Sequence, residues 1–256
     1  MTGYIRIPKG KLYYETVGEG ETIVFIHGFS LDRRMWAPQV AEFSKNYQVV
    51  TYDARGFGRS SLPEGTYQHH ADLRHLLTGL GISQAHLVGL SMGGRIAANF
   101  TVMYPQMVKS LTLLDAALNG YPNSVNWDVG LAGRGMAVAK ANWLNHELFH
   151  DTKLHLDAAR ACSEMVAEYS GWHWNHADPQ SESDPDTANR LNEVTAPTLI
   201  IVGQGDLPQF KAIAQVYHSG IAGSKLVVIP QAGHMTNLEA PEQVNQLIAG
   251  NIKTLP

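Results

Sequence analysis

His86-Leu87-Val88-Gly89-Leu90-Ser91-Met92-Gly93-Gly94 decides how this chain is read. A short apolar run stops at a glycine, a serine follows between glycines, and an alanine-rich, helix-like segment (95–104) comes next. This is Gly-x-Ser-x-Gly on a strand-to-helix turn. Such a turn is so tight that a side chain at Gly89 or Gly93 would strike the neighbouring strand or helix. It strains the serine backbone and lifts the hydroxyl to the top of the sheet. Ser91 is the candidate nucleophile. The five-residue pattern alone is weak, so its meaning depends on what the rest of the chain supplies.

Working outward, the flanking segments alternate between strand and helix signals. Residues 4–17 alternate around Pro8-Lys9-Gly10 and read as a hairpin. Thr22-Ile23-Val24-Phe25-Ile26 is an apolar run of the kind buried on both faces, and it ends at His27-Gly28-Phe29. Helical spacing follows over 31–45, then a strand over 47–52 ending in Asp53-Ala54-Arg55-Gly56-Phe57-Gly58-Arg59-Ser60. A helix over 71–80 precedes the Ser91 strand and helix, which stops at Tyr104-Pro105. Ser110-Leu111-Thr112-Leu113-Leu114 is another buried strand, ending at Asp115.

The alternation then breaks. Residues 118–192 hold no β-like run. They read as amphipathic helices over about 131–150 and 153–170, then a polar stretch with the steps Asp178-Pro179 and Asp184-Pro185. Trp127, Trp143, Trp172 and Trp174, four of the five tryptophans, lie here. After Pro197 come a strand (198–202) ending at Gly205-Asp206, a helix (208–219), a strand (225–229) ending at Gly233-His234, and a final helix (241–252).

The pattern predicts an α/β fold: a mostly parallel eight-stranded sheet with helices on both faces and a small helical cap. The expected division is a core of 1–117 and 193–256 with the cap at 118–192. Ligands of such sheets bind outside the carboxyl ends of the strands. His27-Gly28-Phe29, Asp53, Ser91, Asp115, Asp206 and His234 all sit at such ends.

Composition narrows the class. The 256 residues are 44% hydrophobic and 16% charged, with a net charge of −4 and no basic run. That argues for a globular enzyme and against nucleic acid or an anionic membrane as partner. No stretch reaches membrane-spanning length, and the amino terminus lacks a signal-peptide core. Cys162 is the single cysteine, so an internal disulfide is impossible and a cytoplasmic location is the expectation. As a nucleophile Cys162 lacks a glycine turn.

A serine hydroxyl needs a base, and the base needs a carboxylate to hold its tautomer. His234 is the candidate base and Asp206 the candidate acid, with Asp115 as the rival acid. The order Ser91, Asp206, His234 suits a nucleophile-elbow enzyme. Two N–H donors must face the developing oxyanion: the backbone amides of Met92, at a helix start, and Phe29.

These motifs, in this order, resemble the α/β-hydrolase fold superfamily over nearly the whole chain: His27-Gly28-Phe29, Asp53 through Ser60, Gly89 through Gly94, Gly205-Asp206 and Gly233-His234. Within it the chain is similar to small bacterial carboxylesterases and enol-lactone hydrolases. The resemblance implies a serine hydrolase cleaving a carboxylic ester or lactone through an acyl-enzyme, with no cofactor or metal. It places the helical insertion where the family carries its cap, and makes the Asp53–Ser60 segment a structural turn. The substrate would be a small molecule, and the protein a monomer or homodimer. The tryptophans with Met136, Phe149 and Met165 suggest an apolar or aromatic substrate. Cofactor-free haloperoxidase or perhydrolase chemistry, carbon–carbon hydrolysis, and a slow-turnover ligand receptor would use the same residues.

The remaining histidines compete for attention. His27 reads as shaping its loop, and His69, His70, His75, His86 and His218 as surface or satisfied core residues. His146-Glu147-Leu148-Phe149-His150 is literally His-Glu-x-x-His, which on a helix would present both histidines to zinc, with Glu164 or Glu168 as third ligand. Its place in the insertion and the competing serine set argue for plain cap residues. Trp172-His173-Trp174-Asn175-His176 likewise reads as an aromatic lid rather than a metal site.

Overall fold

A computed structural model describes residues 1–131, 134–180 and 185–253. The Asp184-Pro185 step therefore has its aspartate outside the described residues. Among the described residues eight strands form one sheet: β1 (Thr2–Ile7), β2 (Gly10–Val17), β3 (Thr22–Ile26), β4 (Gln48–Tyr52), β5 (Ala85–Leu90), β6 (Val108–Leu114), β7 (Thr198–Gly203) and β8 (Lys225–Ile229). Their spatial order is β1-β2-β4-β3-β5-β6-β7-β8. The β1–β2 and β2–β4 pairs are antiparallel, and every other pair is parallel.

Burial follows the sequence patterns. β3, β5 and β7 are buried at every position, as continuous apolar strands between two helical layers must be. β1, at the edge, alternates exposed and half-buried positions. Helices α1 (Ala37–Phe43), α2 (His69–Gly79), α3 (Met92–Met103), α7 (Pro208–Gly220) and α9 (Pro241–Lys253) cover the faces, and the single turn α8 (Thr236–Glu239) precedes α9. α9 shows why it docks: Val244, Ile248 and Ile252 recur every four residues and are all buried, each contributing about 1.5–3 kcal/mol relative to exposure.

α3 is buried on nearly all sides, and its start is where glycine is needed. A Cβ at Gly89 would overlap the Gly93 carbonyl, and one at Gly93 would overlap the Ile26 carbonyl of β3. The helix can thus lie close enough to the sheet to begin one residue after Ser91.

The segment 118–192 contains no strand among its described residues and carries α4 (Met136–Leu144), α5 (Leu156–Glu168) and the single turn α6 (Trp172–Asn175). Its first expected helix, 131–150, is shorter than its periodicity suggested. α4 ends at Leu144, and 147–149 and 151–154 are separate 3₁₀ turns. His146 ends the helical pattern by accepting the Leu148 N–H at 3.2 Å on its side chain, a local bond that competes with helix propagation. Among the described residues, no helix is long and apolar enough to cross a membrane.

Candidate active site

Ser91 takes φ 55°, ψ −114° between β5 and α3. That conformation is costly for a residue with a Cβ and persists only because the surroundings impose it. The Ser91 N–H bonds to the Leu114 carbonyl at 2.9 Å, and its carbonyl accepts the Ala117 and Arg95 amides at 3.0 and 3.1 Å. The serine backbone is therefore clamped to β6 and α3. Its Oγ has no hydrogen-bond partner among the described residues, His234 included. Catalytic hydrogen bonds of this type are often long before substrate arrives.

The two residues expected beside it are paired with each other. His234 Nδ1–H donates to Asp206 Oδ1 and Oδ2 at 2.9 and 3.0 Å. Both side chains are buried. Asp206 Oδ1 also accepts the Leu207 N–H at 2.6 Å, which fixes the carboxylate. With Nδ1 donating, Nε2 keeps its lone pair and can accept a proton. The imidazole packs on Phe210, with ring centroids 4.2 Å apart, and Phe210 and Ser91 line the same cavity.

Asp115, the rival acid, is fully buried at the end of β6 and does not bond His234. Its Oδ1 accepts the Gly203 N–H at 2.8 Å and its Oδ2 pairs with Thr236 Oγ1 at 2.5 Å. Burial, and then the charge of Asp206, hold its carboxyl well above the usual carboxylate range. The buried Asp115 carboxyl is thereby biased toward its neutral form. Asp115, Asp206 and His234 are compact enough to frame an ion, but their ligand atoms are engaged with one another and with Gly203 and Thr236.

The opposite wall is the His27-Gly28-Phe29 loop. His27 Nε2 accepts the Ala54 N–H at 2.9 Å, which leaves Nδ1–H to donate to the Gly28 carbonyl at 2.8 Å. Both ring nitrogens are used to shape the loop. Asp53 accepts the Arg33 and Arg59 amides at 3.0 and 2.9 Å, and Arg55 grips Asp72 with two bonds of 2.8 Å. That segment serves as a structural turn. Among the described residues, neither the Phe29 nor the Met92 N–H bonds within the chain.

A cavity of about 1180 Å³ opens over Ser91, walled by Phe29, Met92, Phe210 and the 117–131 and 173–180 stretches. Of the four tryptophans singled out in the sequence, Trp127 and Trp174 line it, and Trp143 and Trp172 do not. Trp143 is buried beneath, its indole N–H donating to Ser30 Oγ at 2.6 Å, so it ties α4 to the Phe29 loop. Met136, Phe149 and Met165 are also absent from the lining; the last two are core residues. The aromatic wall instead includes Phe29, Phe57 and His173, with His173 stacked on Phe57 at 4.5 Å. Burial pushes the His173 imidazole down to about 4, so it is neutral.

The His-Glu-x-x-His run does not form a helical face. His146 and His150 flank a 3₁₀ turn, and both His146 nitrogens are occupied, by the Leu148 N–H and the Asn126 carbonyl at 2.7 Å. Cys162 is buried in α5, where burial raises its thiol to about 12.

A family model described as alpha/beta hydrolase family matches residues 23–247. The chain belongs to that family. Among similar proteins, 3-oxoadipate enol-lactonase 1 of Acinetobacter baylyi is 27% identical over 91% of this chain and 89% of its own. Carboxylesterase YbfK of Bacillus subtilis is 25% identical over 98% and 88%. A thermophilic esterase from Thermogutta terrifontis, solved with malate bound, superposes with a TM-score of 0.86 at 28% identity, covering 100% of this chain and 99% of that one.

Sequence reasoning about this alpha/beta hydrolase missed Glu239. It is buried and accepts the Gly233 N–H at 2.5 Å, the Met235 N–H at 3.3 Å and Thr152 Oγ1 at 2.5 Å. It therefore holds the His234 loop from behind. A glutamate in a surface-like helical pattern carries no sign of this, since Glu is almost never buried unless paired. His69, read as a surface or satisfied core residue, is buried and also lines the cavity. So do Arg95 and Asp178.

Proposed function

We propose that this alpha/beta hydrolase is a serine hydrolase of small esters or lactones, with Ser91 as nucleophile, His234 as base and Asp206 as the acid that orients it. The observation that carries the reading is the bidentate Asp206–His234 pair, whose imidazole packs on Phe210, a residue that lines the same cavity as the strained Ser91. The enol-lactonase and carboxylesterase relatives support the ester or lactone class.

In this reading Ser91 Oγ attacks the carbonyl carbon while His234 Nε2 takes the hydroxyl proton. Asp206 stabilises the imidazolium through Nδ1–H without taking its proton. The oxyanion is held by the unused N–H groups of Phe29 and Met92, each worth roughly 3 kcal/mol in the transition state. His234 then returns the proton to the leaving oxygen, leaving an acyl-enzyme. A water deprotonated by His234 releases the acid. Residues 118–192 act as the cap over the core of 1–117 and 193–256, and Phe29, Trp127 and Trp174 form an apolar wall for the substrate.

A fluorophosphonate probe with mass mapping, followed by a panel of p-nitrophenyl esters and lactones, tests this. Label on Ser91 and loss of hydrolysis in Ser91→Ala are expected. Label elsewhere, or full esterase activity in Ser91→Ala, would overturn it.

A further inference from the structure

We propose that the Arg95 guanidinium is a binding site for a carboxylate on the substrate, so that the cavity selects small esters or lactones bearing a free acid group over neutral ones. The proposal rests on reading Ser91 as the nucleophile.

Ser91 and Arg95 line the same cavity. Arg95 lies one helical turn beyond Ser91, its N–H bonding the Ser91 carbonyl at 3.1 Å, which separates the two backbones by about 6 Å of helix rise. A group held by Arg95 would therefore lie a few bonds from a carbonyl at Ser91.

Arg95 stands apart from the other well-held arginines. Arg33, Arg34, Arg55 and Arg190 each meet a carboxylate at 2.7 or 2.8 Å. Among the described residues, Arg95 meets none within ion-pair distance. Its partners are two neutral amide oxygens, Asn119 Oδ1 at 3.4 Å and Gln180 Oε1 at 3.2 Å. These are long contacts for a guanidinium, whose planar fork matches a carboxylate at shorter range.

Among the described residues, the surroundings bring no carboxylate within ion-pair distance of that charge. His69, on the same wall, is kept neutral by burial and by the positive charge of Arg95. Asp178 also faces the cavity, but its carboxylate accepts the Tyr67 hydroxyl at 3.0 and 3.2 Å and the Gln180 N–H at 3.0 Å. Asp178 thus positions the residue whose side-chain oxygen leans on Arg95. Asp128, the other acid of the lining, is exposed and accepts the Gly130 N–H at 2.7 Å. A ligand carboxylate would displace the two long amide contacts and meet a preset cation. Its carbon skeleton would lie against the aromatic wall.

The test compares mono-p-nitrophenyl glutarate with its methyl-capped, neutral analogue. The wild-type protein is expected to favour the charged ester by about 10- to 100-fold in kcat/KM, the range of one charge-assisted contact. Arg95→Gln should bring the ratio near unity, and Arg95→Lys should keep an intermediate ratio. Absence of preference in the wild type, or an unchanged ratio in Arg95→Gln, overturns the proposal. Calorimetric titration of glutarate into Ser91→Ala, with and without Arg95→Gln, separates the subsite from the chemistry. Binding that needs Arg95 supports the subsite even if neither ester turns over. Ester turnover that survives Ser91→Ala sinks the nucleophile reading and leaves the subsite standing.

Discussion

Asp115 and Asp206 end neighbouring strands with side chains within 4.8 Å of each other, yet only Asp206 bonds His234. Asp115 instead joins β7, through Gly203, to the Thr236 helix that follows the histidine loop. One acid orients the imidazole, and the other joins the two segments that carry the pair.

Removing either acid should have different consequences. Asp206→Asn is expected to lower kcat by about 10³- to 10⁴-fold, because the amide no longer favours the required tautomer. Asp115→Asn keeps an oxygen for Gly203 and a polar partner for Thr236, and should lose less than about tenfold in kcat. Steady-state kinetics on one p-nitrophenyl ester decides it. Equal losses would make Asp115 a direct partner of the histidine.

Asp115 also sets a pH dependence of stability. Its folded carboxyl titrates above its unfolded value, so its contribution is fully present below the unfolded pKa of about 3.9 and is lost as pH rises through the folded value. Asp115→Asn lacks that titration. Its melting temperature relative to wild type should therefore climb as pH increases above 4. A difference that stays flat to pH 8 would show that Asp115 is not neutral in the folded protein.

Glu239→Ala should leave the buried Gly233 and Met235 amides unpaired, at about 1–3 kcal/mol each. Thermal unfolding should report that loss. With the histidine loop loosened, kcat should drop more than KM changes, and Glu239→Gln should recover part of both.

The glycines at the serine turn differ from glycine elsewhere. Gly93→Ala drives a Cβ into the Ile26 carbonyl, and should cost more than about 3 kcal/mol or abolish soluble expression. Gly250, in α9 with nothing within 4 Å of a Cβ, should gain about 0.5–1 kcal/mol as alanine. Chemical denaturation of the two variants tests the contrast.

Chelation should leave ester hydrolysis unchanged, and so should His150→Ala. His146→Ala removes the cap on Leu148 and should cost about 0.5–2 kcal/mol of stability with activity retained. Activity that falls with EDTA and returns with zinc would reinstate His146 and His150 as ligands.

The fold was legible because its signals are local. Buried strands read as apolar runs, helices as four-residue spacings, and the turn at Ser91 as glycines that must be glycines. Chain order then placed Ser91, Asp206 and His234 on one rim. The misread parts depend on contacts across the chain. Trp143 and Trp127 look alike in sequence; one bonds Ser30 in the core and the other faces the cavity. The His146 run looked helical until its own side chain bonded the backbone.

By itself the sequence determined the sheet, the turn around Ser91 and the candidates for its base and acid, because periodicity and glycine sterics act within a few residues. Only the tertiary structure paired His234 with Asp206 rather than with Asp115, placed Glu239 behind the histidine loop, and left Arg95 facing the cavity with no carboxylate at ion-pair distance among the described residues. Hydrogen bonding and desolvation depend on which atoms meet, and residues 88 positions apart, such as Asp115 and Gly203, meet only once the chain has folded.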